Sequence, residues 1–95
     1  MTRNGKRIII YHFPIPEGQT GEDLHGLVGE DANKYYILVN SSLTEEEQQA
    51  ALGHELAHIF LGHLDNERSN DQEAEAEADR EAGKYYQLYL SEMIA

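Results

Sequence analysis

His54, Glu55 and His58 stand in the spacing H-E-x-x-H inside the stretch LGHELAHIFLGH, residues 52–63. On an α-helix, residues four apart differ by about 40° around the axis, so the two imidazoles project side by side. Such a pair can close on one Zn2+ at about 2.0–2.1 Å per nitrogen. Glu55 falls about 100° further round than His54, beside a metal rather than on it. A general base for water has to stand there. Random placement of five histidines and thirteen glutamates along 95 positions gives about 0.03 matches to this pattern. The competing reading, a buried helix that merely carries histidines, is the weaker one.

Zinc in a hydrolytic site takes three protein ligands and leaves a fourth position open. The chain has no cysteine, so the third ligand must be His, Asp or Glu. His63 is nearest in sequence, but on a continuing helix it points about 140° away from His58. It is therefore read as a capping or surface histidine. In EAEAEADREA, residues 73–82, Glu75 and Asp79 are four apart and share a helix face. Glu75 is the expected third metal ligand, giving His2Glu, and Asp79 the expected acceptor of a ligand histidine's free ring N–H. Glu73, Glu77 and Glu81 are read as a solvated face. Tyr85, Tyr86, His12 and His25 are unranked candidates for stabilising an oxyanion.

These residues need elements to hold them. Thr44 with Glu47 forms a capping box, and three acids follow it in the first turn, favoured by the helix dipole. Leu52, Leu56, Ile59 and Phe60 recur at helical spacing, so a helix is expected from about residue 45 to 61, with Gly62 ending it. A second helix should run from about 71 to 93, packing through Tyr85, Tyr86, Leu88, Tyr89, Leu90 and Met93. Before them, RIIIYHF (7–13) and YYILVN (35–40) read as strands and LHGLVG (24–29) as a weaker one. The last two are close enough to form a hairpin. PEGQTGED (16–23) and HLDNERSND (63–71) read as polar connections.

Ninety-five residues suit one small domain, near the lower limit for a self-sufficient core. A bound metal would add stability. A net charge of −11 argues against direct contact with nucleic acid or an anionic membrane. No apolar run approaches the roughly 20 residues that span a bilayer, and the N-terminal apolar run is too short for a signal peptide. The expected compartment is the cytoplasm.

ILVNSSLTEEEQQAALGHELAHIFLGH followed by EAEADREAGKYY resembles the ImmA/IrrE family of bacterial zinc metallopeptidases, a gluzincin-like group common in phage and mobile elements. The resemblance covers roughly residues 35–86. It implies metal ligands at His54, His58 and Glu75, catalysis by Glu55, and Asp79 at a position that is usually Asn or Asp. The family commonly has phenylalanine where this chain has Glu81. The expected fold is α+β, minimal zincin-like: a small, largely antiparallel sheet packed against a metal-site helix and a C-terminal helix, within one domain over 1–95. The expected activity is limited, zinc-dependent proteolysis of a regulatory protein such as a phage or mobile-element repressor. Two alternatives stand beside it: a zinc-stabilised module that captures a regulator without cutting it, and a zinc hydrolase of non-protein amides.

Overall fold

Asn4 and Gly5 both have positive φ, 54° and 77°, the backbone of a two-residue turn suited to right-twisted strands. The turn folds Thr2–Arg3 (β1) back on Lys6–Phe13 (β2). This short strand was not expected from the sequence, although Asn-Gly is the standard signal for such a turn. Described in this computed structural model are residues 1–15, 24–65 and 71–93. The expected connection over 16–23, and residues 66–70 of the second one, lie outside that set.

Gly26–Glu30 (β3) and Lys34–Asn40 (β4) form the expected antiparallel hairpin. Asp31 closes it: its Oδ1 accepts from the backbone N–H groups of Asn33 at 2.8 Å and Lys34 at 2.9 Å. Those two bonds hold its carboxyl below the usual range. β2 and β4 pair in parallel, with Ile8 opposite Tyr35 and Ile10 opposite Ile37. The sheet order is β1-β2-β4-β3, so β3 is an edge and the sheet is mainly antiparallel around one parallel pairing. Side chains alternate across a strand. Tyr35, Ile37 and Val39 therefore face inward with Ile8, and Tyr36 turns outward with Tyr11, Phe13 and Leu27.

Glu45–Phe60 (α1) starts on the complete capping box: Thr44 Oγ1 accepts from the Glu47 N–H, and Glu47 Oε1 accepts from the Thr44 N–H. Leu52, Leu56 and Ile59 enter the core beneath the sheet. Phe60, only partly buried, packs against it with its ring stacked on Tyr85. Gly62, at φ 78°, ends the helix as expected. The His63 N–H reaches back to the His58 carbonyl and the Gly62 N–H to the Ile59 carbonyl, the paired bonds of a Schellman motif.

Gln72–Met93 (α2) packs on α1, burying Ala74 and Ala78 completely. Tyr85, Tyr86 and Tyr89 pack against the core as expected, but Leu88 and Met93 are exposed. Leu88 lies about 100° round the axis from Tyr89, off the packed stripe, and Met93 is the helix's last residue. Among the described residues no helix is long and apolar enough to cross a membrane.

Candidate metal centre

The two helices come close enough for short side chains to meet because α1 carries no side chain at the crossing. A Cβ on Gly53 would stand 2.3 Å from the Ala82 carbonyl oxygen and 2.9 Å from its carbon. On α2 the fully buried Ala74 and Ala78 continue this small-residue strip. Glu75 and Glu77 leave the helix on opposite sides of that strip, each about 80° from its centre.

Glu75 reaches both motif histidines. One carboxylate oxygen lies 3.0 Å from His54 Nε2 and the other 2.9 Å from His58 Nε2. The two Nε2 atoms are 3.1 Å apart. Asp79 stands 2.7 Å from His54 Nδ1. A carboxylate only accepts, so that nitrogen donates and His54 Nε2 turns a lone pair towards Glu75. With His54 neutral, its Nε2 lone pair and the Glu75 carboxylate are thus acceptors converging at 3.0 Å, an arrangement that a bound cation would satisfy. A tetrahedral ion at about 2.0–2.1 Å from its ligands would space them about 3.3 Å apart, close to the 2.9–3.1 Å found. The donor set fits a divalent metal. One ligand atom from each of His54, Glu55 and His58 also falls within 4.8 Å of the others. Glu75, however, is the carboxylate within hydrogen-bonding distance of both histidines.

Glu55 is buried in a cleft of about 290 Å3 lined by His25, Gly26, Ala51, His54, Glu75 and Asp79. Burial pushes its carboxyl up to about 7; nearby His54 opposes the rise and Glu75 reinforces it. A carboxyl that titrates near neutrality can both take and give a proton. Burial lowers the pKa of His58, and neighbouring His54 adds to this, while Glu75 works the other way. The neutral imidazole that a metal needs is thereby favoured.

The structure brings together all five residues singled out for the site. The four residues considered for an oxyanion role are placed apart. His25 lines the cleft, His12 and Tyr86 line a separate groove with Leu52 and Tyr89, and Tyr85 stacks on Phe60 at 5.4 Å. Asn40 holds His25 there. Its Nδ2 donates to the Leu24 carbonyl at 2.8 Å, its Oδ1 accepts from the Ile15 and Ser42 N–H groups, and its own N–H donates to the His25 carbonyl. The sequence marks Asn40 only as the polar end of an apolar strand.

Two readings need correction. His63 does cap the helix through its backbone N–H, but its ring is buried rather than at the surface: its Nδ1 lies 2.9 Å from His58 Nδ1, and its Nε2 lies 2.6 Å from Glu77. The 140° estimate assumed a continuing helix, whereas the left-handed Gly62 folds the chain back over the last turn. Glu77 correspondingly is not part of a merely solvated face. Gly followed by His just past the second motif histidine is the signal that could have found this pair.

Comparisons with curated proteins and with solved structures gave no match. The family model for the IrrE N-terminal-like domain, a peptidase family, matches residues 6–86, a span holding β2 to β4, α1 and every residue of the site. The chain belongs to the IrrE N-terminal-like family of metallopeptidase domains.

Proposed function

We propose that this protein is a zinc-dependent endopeptidase that makes a limited cut in a regulatory protein. His54, His58 and Glu75 hold the metal, Glu55 serves as general base and Asp79 orients His54. The observation that carries this reading is the meeting of two imidazole nitrogens and a carboxylate at 2.9–3.1 Å on the wall of a cleft that contains buried Glu55. Zinc, when bound, supplies a Lewis acid that acidifies water towards neutral pH and polarises a carbonyl.

The remaining work falls to the chain. Glu55 takes a proton from water as the oxygen adds to the scissile carbonyl carbon. It then delivers that proton to the amide nitrogen as the C–N bond breaks. His25, which lines the same cleft, is the residue we assign to hydrogen-bond the developing oxyanion. Among the described residues β3 is an edge strand whose first residue, Gly26, lines the cleft, so an extended substrate can pair with it as an added strand. A transcriptional repressor as the protein that is cut follows from the family resemblance, and the chain's acidity agrees with a protein rather than a nucleic-acid partner.

Incubation with the regulator encoded beside the gene, with and without chelator, tests the proposal. Cleavage should need metal. Glu55→Gln should keep zinc and still bind the target, yet cut at least about a hundredfold more slowly, since positioned general bases contribute about 10²–10⁴-fold. Equal binding by both forms with no products from either would identify a capture module instead. Activity confined to small amides would identify the other class.

A further inference from the structure

Among the described residues, His58 differs from His54 in having an imidazole rather than a carboxylate on its outer nitrogen. His54 Nδ1 meets Asp79 directly, whereas His58 Nδ1 meets a third imidazole, His63 Nδ1, at 2.9 Å. The hydrogens of that pair can be placed by elimination. Glu77 stands 2.6 Å from His63 Nε2, and a carboxylate has only lone pairs to offer. The proton of neutral His63 is therefore on Nε2 and is donated to Glu77. Its Nδ1 is left as an acceptor. The only hydrogen available for the 2.9 Å contact then belongs to His58 Nδ1, so His58 Nε2 carries the lone pair, and it faces His54 Nε2 and Glu75 at 3.1 and 2.9 Å.

We propose that His63 and Glu77 form a positioning relay that fixes the tautomer and ring orientation of His58 for metal binding. The inference rests on the reading of His58 as a metal ligand and adds two residues to it. The local fold supports the relay without any long loop. The Schellman turn at Gly62 brings residue 63 back over residue 58, a place usually occupied by an apolar contact. Here two imidazoles fill it, edge to face with ring centroids 5.1 Å apart. His63 and His58 are both 1% exposed, so bulk water does not reach the contact. Glu77 comes from the side of α2 opposite to Glu75. One helix thus supplies the metal-facing carboxylate and, two residues later, the carboxylate that accepts from His63.

Two variants with the same branched four-heavy-atom side-chain skeleton separate positioning from packing. His63→Asn keeps an acceptor near the position of Nδ1, and His63→Leu removes it while filling the space. Zinc affinity, read by competition with a chromophoric chelator, should fall about 10–100-fold in His63→Leu and stay within about threefold of wild type in His63→Asn. Long-range 1H–15N spectra of the zinc-loaded wild type should show His58 protonated at Nδ1 and metal-bound through Nε2. Equal losses in the two variants, or His58 bound through Nδ1, would overturn the relay. Wild type that binds zinc normally while failing either test would leave the peptidase reading intact. Wild type that binds no zinc would remove both.

Discussion

The α1–α2 contact is built in two different ways along its length. At the candidate metal centre the helices meet through Gly53, Ala74, Ala78 and Ala82, with backbone nearly against backbone. Further along α2 the contact is aromatic: Tyr85 stacks on Phe60, and Tyr86 and Tyr89 lie 6.2 Å apart beside Leu52. The aromatic stretch supplies apolar burial and tolerates separation. The small-residue stretch buries little area per residue but lets a glutamate with a short reach touch two histidines on the neighbouring helix. Stability and site geometry are therefore assigned to different parts of one interface.

That division gives its largest test at Gly53. Alanine is normally the better helix former by about 1 kcal/mol. At this site the added methyl would collide with the Ala82 carbonyl, so Gly53→Ala should destabilise the metal-free protein by about 1–3 kcal/mol. It should also weaken zinc binding, as Glu75 is carried away from the histidines. Denaturant melts beside zinc titrations would show both losses. A stabilised variant with normal zinc affinity would mean the close approach does not set the site.

Much of this arrangement is readable from residues alone. The capping box at Thr44 and Glu47, the helix end at Gly62, the β3–β4 hairpin, and the shared helix faces of His54 with His58 and of Glu75 with Asp79 follow from local rules of spacing. What escaped depends on backbone departures from those rules. The rotation per residue that places His58 beside His54 fails at Gly62, where one left-handed residue turns His63 inward. The acids of α2 look alike in sequence. Only the position of the alanine strip against Gly53 shows that Glu75 and Glu77 both meet histidines. The parallel pairing of β2 with β4 joins segments far apart in the chain, and no local pattern encodes it. Asn40 reads as a strand end because its partners, at Ile15 and Leu24, are distant in sequence.

A smaller effect tests the buried acid within the small-residue region. The carboxyl of Glu55 is raised from 4.5 to about 7 in the metal-free fold, so between those values the folded state holds more proton than the unfolded state. Its contribution to stability is complete below about pH 4.5 and is lost as pH rises through about 7. Glutamine does not titrate. In chelated protein the melting temperature of Glu55→Gln should therefore gain on wild type steadily from pH 4.5 to 7 and level off above it. A gap that narrows over that range would contradict the assigned burial.

The smallest effect sharpens the comparison by contrast. Gly83 lies in the same helix, but a Cβ there would meet nothing within 4 Å. Gly83→Ala should stabilise the protein by about 0.5–1 kcal/mol through helix propensity and leave zinc affinity unchanged. The two glycines, one position beyond Ala82 and one facing it, should thus respond with opposite signs.

The central claim is that two histidines of α1 and one glutamate of α2 hold a single metal ion. Zinc analysis after loading and desalting at neutral pH tests it most directly. Wild type should retain about one zinc per chain, and Glu75→Ala and His58→Ala should lose it, because two protein ligands rarely hold zinc tightly. Chelation should lower the melting temperature of wild type by removing a ligand of the folded state. Wild-type protein that binds no stoichiometric zinc when supplied in excess, or Glu75→Ala that binds it as wild type does, would contradict the account.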